Sequence, residues 1–208
     1  MSEKDAVLMA VLPEVPFEGW SLAALRSGAR RAGISEAEAL ALFPRGAPDL
    51  VAAFSDWADR QMLERLALRP LESMKTSEKV AAAVMARLDA LGGHREAARR
   101  ALSVLALPQN APLGLRLLYN TVDAIWYAAG DTSTDWNFYS KRALLAAVYA
   151  ATQLYWFEDR SPGAEETRGF LERRLADVMA LPKAGAELRN LADRLPNPFR
   201  FFTAMRRR

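Results

Sequence analysis

Residues Asp131 to Arg160, DTSTDWNFYSKRALLAAVYAATQLYWFEDR, decide the fold. The stretch opens on Asp131, Thr132, Ser133, Thr134 and Asp135, whose side chains supply acceptors for a helix N-cap; Asp135 also suits the positive end of the helix dipole. From Ala143 to Phe157 only Thr152 and Gln153 are clearly polar. A helix on the surface of a domain carries one apolar stripe and one polar face. This one is apolar on nearly all sides, so it is expected to be covered from at least two directions. The run is about 15 residues, short of the roughly 20 that a membrane span needs. Lys141 and Arg142 flank one end; Glu158, Asp159 and Arg160 flank the other. It therefore reads as the central helix of a bundle, packed on its own core and on a second surface, either another subunit or an apolar ligand.

Working outward, helix remains the prevailing expectation, because Ala, Leu, Arg and Glu dominate and β-branched residues are sparse. The fold class is all-α. Helices are predicted over Ala6 to Leu12, Ser21 to Ala32, Glu36 to Phe43, Asp49 to Leu68, Thr76 to Leu91, His94 to Leu105 and Pro112 to Ala129. Gly33, Gly92-Gly93, Gly130 and several prolines serve as stops. In the segment ending at Ala129, Leu115, Leu118, Tyr119, Val122, Ile125 and Trp126 keep the helical rhythm, with Arg116, Asn120 and Asp123 opposite. Ser161-Pro162 opens another helix that Pro182 is expected to end. Residues 1–46 form one region, 47–183 the helical core, and 184–208 a tail.

In the first region, two short helices around Gly33 read as a helix-turn-helix. A DNA-reading version places Arg, Lys, Asn or Gln of its second helix against base edges. Here that helix is Ser35-Glu36-Ala37-Glu38-Ala39-Leu40-Ala41-Leu42. Its carboxylates would meet phosphate with like charge, so the motif is degenerate and no nucleic acid is expected. With a net charge of +3 and an isoelectric point of about 9.4 the chain is mildly basic, without the charge density of a dedicated nucleic-acid binder.

In the tail, Phe199, Phe201, Phe202 and Met205 stand beside Arg206, Arg207 and Arg208. Aromatics next to a basic cluster suit an amphipathic helix lying in a membrane interface, where apolar burial and attraction to anionic lipid add. The competing reading is a terminal segment docked on the body, with solvated arginines. The first residues, MSEKDAVLMAVLPEVP, lack the basic start and long apolar run of a signal peptide. The expected location is a bacterial cytoplasm, peripheral to the inner membrane.

No constellation for catalysis stands out. Cysteine is absent and His94 is the single histidine, which leaves no thiolate nucleophile and no multi-histidine metal site. His94 is expected to be an exposed helix-start residue. Glu158-Asp159 and Glu165-Glu166 are sequence neighbours, which do not share a helix face. Glu-x-x-His pairs and a glycine-rich phosphate loop are missing. The functional signal is an apolar, aromatic-rich interior in which Tyr119, Trp126, Tyr149, Tyr155, Trp156 and Phe157 serve as pocket walls or as ordinary core.

The run Gly130-Asp131-Thr132-Ser133-Thr134-Asp135-Trp136-Asn137-Phe138-Tyr139-Ser140-Lys141-Arg142 resembles the signature of the coenzyme Q biosynthesis factor nine family. The likeness continues through Ala143 to Tyr149, Ser161-Pro162, Glu166-Thr167 and Phe170 to Arg174. It extends to Phe17-Glu18-Gly19-Trp20 and Ala32-Gly33-Ile34-Ser35. The family motif commonly has Phe-Asn-Trp-Tyr where this chain has Trp136-Asn137-Phe138-Tyr139. The resemblance implies a fold similar to TetR-family regulators, with a degenerate helix-turn-helix and a homodimer formed by the last core helices. It implies an interior that holds isoprenoid quinone precursors or phospholipid, here with Leu118, Val122, Trp126, Tyr149, Thr152, Tyr155 and Trp156 at the lipid. It also implies a patch for the di-iron demethoxyubiquinone hydroxylase, containing Ile125, Asp135, Asn137, Phe138, Tyr139 and Arg142. Arg142 would meet an acidic partner surface. The expected function is that of a non-catalytic accessory protein without a cofactor that presents lipid at a membrane. The alternatives are a TetR-like regulator with a lipophilic effector and an enzyme acting on a lipid.

Overall fold

Every regular element among the described residues is helical. The structure is a computed structural model that describes residues 2–130 and 136–194, with side chains omitted at 136–140, 179 and 181–194. The expected N-cap at 131–135 and the expected membrane segment, Phe199, Phe201, Phe202, Met205, Arg206, Arg207 and Arg208, lie outside the described residues.

Helix α1 (Glu3–Val11) starts at a capping box in which Ser2 and Asp5 exchange bonds. A short α2 (Val15–Glu18) follows. Helices α3 (Leu22–Ala32) and α4 (Glu36–Leu42) form the helix-turn-helix, turned by Gly33 at a φ of 70°. That left-handed conformation suits a residue without a Cβ. The acidic residues of α4 have local work. Glu38 closes a capping box with Ser35, and Glu36 pairs with Arg26 at 2.6 Å. The cap satisfies N–H groups that a helix start otherwise leaves orphaned.

Val7, Leu8 and Val11 of α1 are fully buried, as are Ala24 and Leu25 of α3. The two helices cross at Gly28. A Cβ built there would lie 2.4 Å from Val11 Cγ2 and 3.0 Å from Val11 N. Backbone atoms cannot move aside as a side-chain tip can. Gly28→Ala is therefore expected to destabilise the protein by about 1–3 kcal/mol, although alanine is the better helix former. A urea midpoint unchanged from wild type would contradict that close crossing.

Helix α5 (Ala47–Ala67) is the long strut of the body, packed on α6 (Thr76–Leu91) and α8 (Ala111–Ala128), with α7 (Arg95–Leu105) across its side. The central stretch forms α9 (Trp136–Glu158), and α10 (Glu165–Arg194) lies against α9 and α6. The N-terminal region is tied to this body. Trp20 Nε1 donates to the Ala97 carbonyl at 3.0 Å, and Arg100 donates to the Pro16 carbonyl at 2.8 Å. No described helix is long and apolar enough to cross a membrane.

Three expectations need correcting. First, α10 runs past Pro182 to Arg194. A proline removes one donor and crowds one carbonyl, which does not oblige the residues beyond it to leave the helix. Second, α8 buries Leu113, Leu117, Thr121, Val122 and Ile125, whereas Leu115 and Tyr119 are exposed. Apolar residues occupy more than one side of α8, so the rhythm alone could not select the core face. Third, His94 is half-buried, its ring edge-on to Trp57 at 5.6 Å and to Phe54 at 6.3 Å. Burial holds its imidazole below the usual pKa, towards the neutral form.

Candidate lipid cavity

Arg87 sits in α6 among apolar neighbours, within Val80-Ala-Ala-Ala-Val-Met-Ala-Arg-Leu. A charge so placed must find partners inside the protein. Its Nε donates to Asp59 Oδ1 of α5 at 2.6 Å. A terminal nitrogen donates to the Tyr149 hydroxyl of α9. The other donates to Ser55 Oγ at 3.0 Å. Thr121 of α8 donates its hydroxyl to Asp59 Oδ1 and Oδ2 at 3.0 and 3.1 Å. Four helices thus meet at one buried polar cluster. Burial opposes the charge on Arg87, but Tyr149 and Asp59 outweigh it and raise the pKa. Burial pushes the Tyr149 hydroxyl above its usual pKa as well, which keeps its proton in place at neutral pH.

A cavity of about 190 Å3 opens above this cluster. Ser55, Arg87, Thr121 and Tyr149 form its polar end; Val51, Phe54, Leu91, Leu102, Leu105, Leu117 and Leu118 supply apolar wall. Gly114 leaves room at one side. A second cavity of about 270 Å3 lies between α6, α8, α9 and α10, lined by Val80, Trp126, Lys141, Leu144, Val148 and Leu175 among others. Trp126 Nε1 is buried at its edge without a hydrogen-bond partner among the described residues.

The residues expected at a lipid are therefore dispersed. Leu118 and Tyr149 line the first cavity and Trp126 the second. Val122 and Thr152 are core, with Thr152 Oγ1 donating back to the Val148 carbonyl at 2.7 Å. Trp156 is buried, with the Arg95 guanidinium 4.4 Å from its ring centroid. Tyr155 lies on the outer side, stacked on Phe170 at 4.7 Å. Among the residues expected at a partner, Ile125 has no exposed surface and is packed in the core. Arg142 is turned inward. It is 7% exposed and bonds Asp123 Oδ1 at 2.7 Å, so its charge pins α9 to α8 instead of facing outward. Asp135 and the side chains of Asn137, Phe138 and Tyr139 lie outside the described residues.

Sequence reasoning missed Ser55, Arg87, Leu91, Leu102, Leu105, Gly114, Thr121 and Gln153 at the first cavity. Only Arg87 carried a usable signal, as a lone cation on the buried side of an alanine-rich helix. No cluster of His, Asp and Glu among the described residues could hold a metal ion.

Two of the helices around this cavity, α8 and α9, fall within a stretch that matches a known family. Residues 111–182, from α8 into α10, match the family model described as COQ9. The chain is 36% identical over 196 residues to the human "Ubiquinone biosynthesis protein COQ9, mitochondrial", covering 91% of this chain and 61% of that protein. It is 31% identical over 182 residues to the Schizosaccharomyces pombe "Ubiquinone biosynthesis protein coq9, mitochondrial", covering 86% of this chain and 71% of that protein. The chain belongs to the COQ9 family. It spans about 61% of the length of the human member and 58% of the Xenopus tropicalis member, to which it is 38% identical. Among solved structures, a TetR transcriptional regulator from Nitrosomonas europaea superposes with a TM-score of 0.68 over 85% of this chain and 97% of that one. At 23% identity, that likeness shows the TetR-like fold and nothing of DNA binding.

Proposed function

We propose that this COQ9-family protein is a non-catalytic accessory factor of ubiquinone biosynthesis. It binds an isoprenoid quinone precursor, or phospholipid, between its helices and presents it to a di-iron demethoxyubiquinone hydroxylase at a membrane surface. The observation that carries this reading is the apolar cavity walled by α5 to α9, in a chain whose curated relatives are named for ubiquinone biosynthesis. Apolar burial favours transfer of a polyisoprenyl chain out of water by about 25 cal/mol per Å2. A protein that lifts such a chain from a bilayer must offer a comparable apolar surface.

The homodimer and the membrane tail belong to the same proposal. On α9, Ala143, Leu144, Ala147 and Leu154 remain exposed, Leu154 to 59%. They recur at helical spacing on the helix expected to need a second covering surface. A second copy would cover them. Two tails on one dimer would also hold a membrane more tightly than one, through avidity. Against DNA reading stands α4, whose acidic side chains are committed to its cap and to Arg26.

The test is native mass spectrometry of the protein purified from its own host, followed by lipid extraction. Wild type is expected to be a dimer carrying quinone or isoprenoid species. A Cβ at Gly114 would touch Leu105 Cβ at 3.6 Å, an ordinary contact, so alanine is accommodated there. Gly114→Leu places a side chain in the cavity, and bound lipid is expected to fall by on the order of tenfold, because the ligand would then overpack the site. Empty wild-type protein that takes up no lipid when challenged would overturn the reading.

A further inference from the structure

The polar end of the cavity holds more donors than the protein itself uses. Tyr149 is 3% exposed, and its hydroxyl accepts a hydrogen bond from Arg87. Its own O–H has no acceptor among the described residues. Arg87 spends Nε on Asp59, one terminal nitrogen on Ser55 and one hydrogen of the other on Tyr149. A guanidinium carries five N–H groups, so the nitrogen facing Tyr149 keeps a hydrogen without an acceptor among the described residues. Buried donors are normally satisfied by protein, by an ordered water or by a bound group, and these face the cavity. Charge is already balanced here, because Asp59 answers Arg87. A carboxylate entering the cavity would bring an unpaired charge into a low-dielectric site, and a neutral oxygen would not.

Resting on the lipid-binding reading above, we propose that the cavity takes its ligand head first. A carbonyl or hydroxyl oxygen on an uncharged ring docks on the Tyr149 hydroxyl and the Arg87 guanidinium, and the apolar chain leads out along Leu102, Leu105 and Leu118. Size supports this direction. At about 190 Å3 the cavity is smaller than the roughly 300–1,000 Å3 that encloses a drug-sized ligand, so it accommodates one end of a long molecule. Gln153 lies one helical turn beyond Tyr149, lines the same cavity and is half-exposed. Its amide is placed to contact a second ring substituent nearer the opening.

The experiment is calorimetric titration of the full chain with a decyl-substituted dimethoxybenzoquinone, with decylbenzene and with dodecanoate. The decyl chain and the six-membered ring are common to the first two probes, and only the first carries oxygen acceptors on its ring. Wild type is expected to bind the quinone about tenfold or more tighter than decylbenzene, because a site built to hydrogen-bond an oxygen discriminates against the analogue lacking it. Tyr149→Phe is expected to remove about tenfold of the quinone affinity and leave decylbenzene unchanged. Equal wild-type affinity for quinone and decylbenzene overturns the head-first orientation while leaving lipid binding intact. So does dodecanoate binding as tightly as the quinone, or a folded Tyr149→Phe that binds quinone like wild type. Failure of all three probes to bind wild type overturns the lipid-binding reading itself. If Tyr149→Phe does not fold, the wild-type series alone decides.

Discussion

Asp59→Ala is expected to cost about 3–5 kcal/mol of folding stability, the largest single effect in this chain. Asp59 is 9% exposed and Arg87 5%. Their contact is 2.6 Å, and the carboxylate also accepts from Thr121. Removing it strands a guanidinium that is 5% exposed among α5, α6, α8 and α9. The cost is thus the penalty of an uncompensated buried charge more than the value of the bond itself. A double variant makes that distinction measurable. Asp59→Leu with Arg87→Met removes both charges and keeps the volume. It is expected to be closer to wild type than the single variant, since swapping a buried pair for apolar residues is often neutral. Urea unfolding followed by circular dichroism reads both. A double variant as damaged as Asp59→Ala would mean that packing, and not the stranded charge, dominates the site.

Asp159→Ala is expected to cost roughly 2–4 kcal/mol, and the loss should depend on pH. Asp159 follows α9 and organises the start of α10. Its carboxylate accepts from Ser161 N and Oγ at 2.7 and 2.6 Å, and from Thr167 N and Oγ1 at 2.8 and 2.5 Å. Its own carbonyl accepts from Arg95 at 2.6 Å. Burial pushes the carboxyl towards its neutral form, but the bonds from Ser161 and Thr167 outweigh that and hold it well below its ordinary value of 3.8. Folded protein therefore prefers the ionised form more strongly than unfolded chain does. The stabilisation is complete above the unfolded value, from about pH 5 upward, and is lost as pH falls through about 4 towards the folded value. Thermal melts between about pH 7 and pH 2 should show the gap between wild type and variant narrowing on the acid side. A gap that does not change with pH would show that the carboxyl has the same pKa in the folded and unfolded chain.

The local devices of this fold were legible in the chain. The stop at Gly33 and the acidic start of the second helix are local features, read from residues acting on their own backbone within a few positions. The class of the fold, the degenerate helix-turn-helix and the apolar excess of α9 were equally readable. The site was much less so. The bonded pairs among Asp59, Arg87, Thr121 and Tyr149 lie 28 to 62 residues apart, and no periodicity links them. Arg142 read as an outward cation because its partner Asp123, 19 residues earlier on another helix, cannot be seen from spacing. The aromatics Trp126, Tyr155 and Trp156 all suited a pocket by type, yet they occupy a second cavity, an outer stack and the core.

By itself the sequence determined that the chain would fold as helices, where most of them would begin and end, and which family motif α9 would carry. Those properties depend on backbone sterics, capping and periodicity, all acting over a few residues. Tertiary structure alone decided which side of α8 would be core, whether α10 would continue past Pro182, and which polar groups would meet beneath a cavity. A cavity is the space that several facing helices fail to fill, and a buried ion pair exists only where two distant helices bring their charges together. Both are properties of the assembled packing, not of any one segment.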